Sequence, residues 1–248
     1  LNRVQPQSLF LLLLTMTSGC VDVITFLNLG QVFSAAMTGN TVLFGLAFVH
    51  TPGLSVIRYV TALCGFMLGN ALAALLCSRV QRQSGWNLTL NVVLIGEFAL
   101  LLTSALLMDL QSPISTSFLV LLFSAAMGMQ GVVARRVGIN GITTTVITST
   151  ITGMVETTIW NLQSKARVDF DEKKTVQTNS TPWSTIILWF SAIAIYGVGA
   201  ALCGEIQRHS LRVAVWLPVL VVLLVILLSY VWQTAKERKQ KAHRTVSA

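Results

Sequence analysis

Six stretches of this chain, at about 8–28, 58–78, 88–108, 114–134, 184–204 and 213–232, are each apolar over a bilayer's thickness. Crossing about 30 Å of hydrocarbon as a helix takes roughly 20 residues. No water is present there to satisfy a backbone, so the spanning structures are helices or closed barrels. Continuous apolar runs without period-two alternation favour helices. A mean hydropathy of +0.72 with 10% charged residues leaves little chain for a water-soluble domain. We therefore read residues 1–248 as one integral, all-α membrane domain with six transmembrane helices. Its sizeable polar stretches are a loop at 159–183 and a basic tail at 233–248.

Two further segments, 30–49 and 138–158, are apolar at their ends but polar in the middle. The first contains Thr38-Gly39-Asn40-Thr41 and the second Thr143-Thr144-Thr145 and Thr148-Ser149-Thr150-Ile151-Thr152-Gly153. Irregular backbone at membrane depth is tolerated only where it is buried in protein or lines a wet cavity. These segments are expected to be interrupted, either crossing the membrane or dipping in and returning.

Basic residues bear on that choice, because Lys and Arg in short loops favour the cytoplasmic side. If both segments re-enter, only Arg58, Arg208 and Arg212 face outward, and every other Lys and Arg is cytoplasmic. If both cross, Arg79, Arg82, Arg135 and Arg136 move outward and the asymmetry weakens. The re-entrant arrangement is preferred, and both arrangements place the two termini in the cytoplasm.

The spans come twice in the same order, about 9–108 and 114–232. Ser18-Gly19-Cys20-Val21-Asp22 is echoed by Met127-Gly128-Met129-Gln130-Gly131, and Gly65-x3-Gly69-x3-Ala73 by Gly197-x3-Ala201. Three crossings per half invert the second half relative to the first, giving a two-fold inverted repeat, an arrangement typical of transporters. The small-residue stripes signify close helix packing.

Asp22 and Glu97 lie inside spans, where insertion of a carboxylate costs roughly 2.5–3.5 kcal/mol. Asp22 is expected beside the first break, either as a proton- or cation-linked group or as a cap on that segment's N–H groups. Glu97 is expected to be hydrogen-bonded to a neighbouring helix or to relay protons. Candidate solute contacts are Asp22, Thr38, Gly39, Asn40, Thr41, Gln130, Thr148, Ser149, Thr152 and Gly153. Gly39 is the expected site of unusual backbone angles. Glu156, after the second break, is a weaker candidate.

Other chemistries find little support. Cys20, Cys64, Cys77 and Cys203 fall in apolar spans, and His50, His209 and His243 at span edges or in the tail, so neither disulfides nor a metal site is expected. No cofactor is expected either. The net charge of +8 suits topology and anionic lipid better than nucleic acid. Arg3, the leucine run Leu9–Leu14 and Thr17-Ser18-Gly19-Cys20 resemble a lipoprotein signal. However, Thr17 stands where leucine is usual and the apolar run continues to Leu29, so we read a retained helix. Neither a Ser–His or Cys–His arrangement nor a G-x-x-x-x-G-K-[ST] pattern occurs, so an enzyme is not expected.

Gly19-x2-Asp22 followed by Phe33-x3-Met37-Thr38-Gly39-Asn40-Thr41-Val42-x2-Gly45 is similar to the YoaK-type family of small bacterial integral membrane proteins, a domain of unknown function. The likeness spans roughly residues 9–232. Gly128-Met129-Gln130 resembles the family's Gly-x-Gln segment. Thr148-Ser149 stands where the family usually has Thr-Gly, a pair displaced here to Thr152-Gly153. The resemblance implies a bacterial inner (plasma) membrane location and brings no activity with it. From the residues we expect a small-solute secondary transporter or channel-like permease, proton-coupled through Asp22 or Glu97. The alternative is a non-transporting scaffold or assembly partner acting through the 159–183 loop. The expected partners are the bilayer and an unidentified small solute, and assembly into a homo-oligomer stays open.

Overall fold

A computed structural model describes residues 6–78, 85–110, 114–137, 147–168 and 183–246. They form eight helices: α1 (Pro6–Asn28), α2 (Met37–Phe48), α3 (Val56–Ser78), α4 (Leu88–Asp109), α5 (Thr116–Val137), α6 (Ile147–Val168), α7 (Trp183–His209) and α8 (Leu211–Val246). Six of these are long and apolar enough to cross a membrane: α1, α3, α4, α5, α7 and the Leu211–Lys236 part of α8. The expected spans are therefore present.

Helix boundaries follow local chemistry. Asn87 caps α4 by accepting from Leu90 N–H at 3.1 Å. Ser115 does the same for α5 through Phe118 N–H at 3.3 Å. Only Ser210 separates α7 from α8. Pro218 lies inside α8 and has no N–H for the Ala214 carbonyl, toward which the Cys203 thiol is directed at 3.8 Å.

At the polar stretches the structure corrects two expectations and adds to a third. Residues 159–168 are not loop but the last turns of α6, while 169–182 lie outside the described residues. Most of the tail continues α8 to Val246, because Lys, Arg, Glu, Gln and Ala are strong helix formers with no breaker among them. Helix α6 also runs unbroken through 148–153, and the preceding 138–146 lie outside the described residues.

At the centre, α1 packs on α5, α5 on α4, α4 on α8 and α8 on α1, closing a four-helix ring. Outside it α7 lies along α1 and α3 along α5, with α2 on α3 and α6 on α7. The set of packed pairs is unchanged when α1–α4 are exchanged with α5–α8. Glycines make the two tightest contacts. Gly19 and Gly199 bring α1 against α7, where a Cβ would strike the Tyr196 or Met16 carbonyl. Gly65, Gly69 and Gly128 do the same for α3 and α5. The stripe expected at Gly197 is carried by Gly199 instead: nothing lies within 4 Å of a Gly197 Cβ.

Helix α4 runs antiparallel to α8, since Asn91 bonds Ser229 near one end and Asp109 pairs with Arg212 near the other. An aromatic cluster seals the first of these ends. The Phe10 ring meets Trp86 edge-on at 5.0 Å and Trp232 at 6.4 Å.

Candidate functional site

After α1 ends at Asn28 the chain turns back on itself. Gly30 and Gln31 take φ of +87° and +61°. The φ at Gly30 favours glycine, and a Cβ there would have to push the Arg58 guanidinium aside. Gln31 N–H then donates to Phe26 O at 3.0 Å and the Phe33 ring stacks on Phe26 at 4.9 Å. Residues 30–36 thus run antiparallel to the last two turns of α1 without helical bonding, and α2 begins at Met37.

That unwound strand is held by two side chains. Asp22 is buried on α1 six residues before its end, about 9 Å along the axis. Its Oδ1 accepts from Ser34 and Ala35 N–H, both at 2.7 Å, and its Oδ2 from the Tyr196 hydroxyl of α7 at 2.5 Å. Ala36, at the cap position of α2, has no side-chain acceptor, so the carboxylate comes from another helix. It sits at the positive end of the α2 dipole. All of these partners are donors, the complement of a carboxylate and a poor shell for a metal cation.

Asn40, also fully buried, grips the strand from the other side. It accepts from Phe33 N–H at 2.9 Å and donates to Phe33 O at 2.5 Å. Gly39 lies under the Phe33 ring, which comes within 3.0 Å of a would-be Cβ.

The structure therefore joins Asp22 and Asn40 through 33–35 but moves the break. The expected interruption at Thr38-Gly39-Asn40-Thr41 is regular helix, and Gly39 supplies room for a ring, not an unusual backbone angle. Thr38 and Thr41 are exposed, and Thr41 bonds its own helix at Met37 O, 3.0 Å away. Gln130 is buried in the ring and donates to Leu14 O and Ser18 Oγ of α1. Glu97 is buried on α4 with neither carboxylate oxygen hydrogen-bonded, so the expected bond to a neighbouring helix is not made.

In α6, a Cβ on Gly153 would lie 3.8 Å from the Trp189 ring of α7, Thr152 and Glu156 are exposed, and the side chains of Thr148 and Ser149 lie outside the described residues. Among the described residues no three of His, Cys, Asp and Glu come together.

Tyr196 was not among the expected site residues. Its one sequence signal is a phenol in the middle of an apolar span, a group that normally seeks a partner when buried. Phe33 and Ser34 lay in the expected interrupted segment but not among its expected contacts, since the break was sought at 38–41 and lies at 30–36.

Six apolar spans and a partly unwound hairpin packed beside them define a multi-pass helical membrane protein. The chain matches the protein family of unknown function DUF1275 over residues 10–228. It is 32% identical over 210 residues to the UPF0700 transmembrane protein YoaK of Bacillus subtilis (strain 168), covering 85% of this chain and 88% of that one. The chain belongs to this family. No solved structure matches it.

Proposed function

We propose that the protein is a small-solute permease whose gate is the 29–48 hairpin. One observation carries the reading. Gly30, just past α1, touches Arg58 in the first turn of α3, so both ends of the α2 segment lie at one end of the bundle. Helix α2 has 12 residues, about 18 Å of rise, too short to cross. A segment that leaves and returns at one face is re-entrant. Its unwound strand sits at depth beside Asp22, as in transporters with discontinuous helices.

An inverted repeat is supported by the exchange pattern of helix pairs together with the antiparallel run of the counterparts α4 and α8. With six crossings and re-entrant α2 and α6, both termini share a face. The positive-inside rule makes that face cytoplasmic in a bacterial inner membrane. In this reading the hairpin binds or gates solute through backbone groups around Asp22 and Asn40, and catalyses no reaction.

The test is a thermal-shift screen of the purified protein against a metabolite panel, followed by uptake of each hit into proteoliposomes. A ligand at 100 times its dissociation constant stabilises by about 2.7 kcal/mol, which is readily resolved. Asp22→Asn and Asn40→Ala are expected to abolish uptake. Undiminished uptake in both refutes the gate, and loss of cellular function on deleting 169–182 alone would point to a scaffold instead.

A further inference from the structure

Two buried side chains of the four-helix ring, Glu97 and Gln130, hold three acceptors that no donor among the described residues meets. Glu97 sits in the middle of the buried stripe of α4, between Leu90 and Leu94 on one side and Leu101 and Ser104 on the other. It is fully buried and both carboxylate oxygens are without a hydrogen-bond partner. Its neighbour Gly96 lies against Met129 of α5, whose Sδ is 3.4 Å from a would-be Gly96 Cβ. That contact puts Glu97 at the level of Gln130.

Gln130 commits its amide nitrogen to α1, donating to Leu14 O at 2.8 Å and Ser18 Oγ at 2.7 Å. These bonds fix which way the amide faces, and they leave Oε1 buried with no partner. Buried polar groups in native proteins are almost always satisfied. Three acceptors, two of them one carboxylate's, call for a proton or a positive charge.

We propose that Glu97, with Gln130 and Ser18, forms a site for a small monovalent cation, a proton or Na+. Protonated, Glu97 becomes the missing donor. Occupied by Na+, the site offers carboxylate, amide and hydroxyl oxygens. A single carboxylate suits one positive charge and is a poor match for Ca2+, which draws on several. The Asp22 hairpin cannot serve the same purpose, because its carboxylate is already matched by donors.

The titratable or charged groups described on the helices packed against α4 are Arg135 and Arg136 of α5, Arg212, Tyr230, Lys236 and Arg238 of α8, and Arg58, Tyr59, Cys64 and Cys77 of α3. Arg136 is bonded to Cys77 O, and Arg212 to Asp109 at the far end of α4. None of them reaches the Glu97 carboxylate. As the coupling-ion site of a permease the layer rests on the function proposed above; as a cation site it stands without it.

The experiment uses the full chain in detergent or lipid and no solute. Infrared difference spectra of wild type, Glu97→Gln and Glu97→Asp are recorded across pH, in NaCl and in choline chloride, beside melting curves in the same salts. For a proton, a protonated-carboxyl band exchanges in D2O, disappears as pH rises, shifts in Glu97→Asp and is absent from Glu97→Gln. For Na+, NaCl raises the melting temperature over choline chloride, and Glu97→Gln loses that rise. If Glu97→Gln does not fold, the wild-type spectra and melts decide. A wild type in which no carboxyl band responds to pH or Na+, with equal melting in both salts, overturns the site. Loss of these signals with intact uptake refutes the cation site alone, whereas intact signals with uptake indifferent to Asp22 and Asn40 refute the hairpin gate alone.

Discussion

Removing the Asp22 carboxylate is expected to release the 30–36 strand. In Asp22→Ala two backbone N–H groups and the Tyr196 hydroxyl lose a buried acceptor. Each stranded buried donor costs about 1–3 kcal/mol, for a sum of about 3–6 kcal/mol once water relieves part of it. Asp22→Asn keeps an oxygen for the two N–H groups and loses charge assistance, so about 1–3 kcal/mol is expected. Tyr196→Phe removes one bond and leaves Oδ2 bare, at about 1.5–3 kcal/mol. Hydrogen exchange read by mass spectrometry is the assay, because it localises the effect. Amides at 33–36 should exchange faster in the order wild type, Tyr196→Phe or Asp22→Asn, then Asp22→Ala, while α4 and α5 hardly change. Equal protection of the 33–36 peptide in wild type and Asp22→Ala would refute the capping argument.

Gly69→Ala, whose Cβ meets the Ala125 backbone, should cost about 1–3 kcal/mol by overpacking. Gly197→Ala meets nothing and should be neutral or stabilising by up to about 1 kcal/mol; melting curves of the two variants separate contact from stripe. Gly39→Ala should displace the Phe33 ring and raise the exchange of residues 31–33 without disturbing the Asp22 bonds to Ser34 and Ala35. The exposed Arg212–Asp109 pair should contribute only about 0.2–1 kcal/mol, and less at high salt, in a double-mutant cycle. Alkaline phosphatase fused after His50 or His209 should be active, and fused after Val246 inactive; activity at the C-terminus would invert the proposed topology.

The spans were legible because bilayer thickness alone fixes their length and composition. For α1, α3 and α4 the expected limits fall within two residues of the helices. The hairpin was legible as a polar interruption but misplaced within it. Thr38 to Thr41 look like a breaker, yet Thr38 and Thr41 occupy exposed helical positions. The true break is set by the left-handed pair Gly30 and Gln31 and by an acceptor on another helix. Nothing near Ala36 in sequence reveals that acceptor. Asp22 was placed beside the hairpin from its cost of burial, whereas Tyr196 was not, because a contact across 174 residues leaves no local pattern. The register of the small-residue stripe failed for a similar reason: Gly197 and Gly199 are equally small, and only the neighbouring helix distinguishes them.

That distance along the chain bears on biogenesis. At roughly 5–20 residues per second, α1 leaves the ribosome on the order of ten seconds before the phenol that completes its carboxylate's shell. The first helices must wait for the last ones, since α1 leans on α7 and α8 and α3 on α5. A nascent chain stopped after α4 therefore holds a buried acid without its final hydrogen-bond partner.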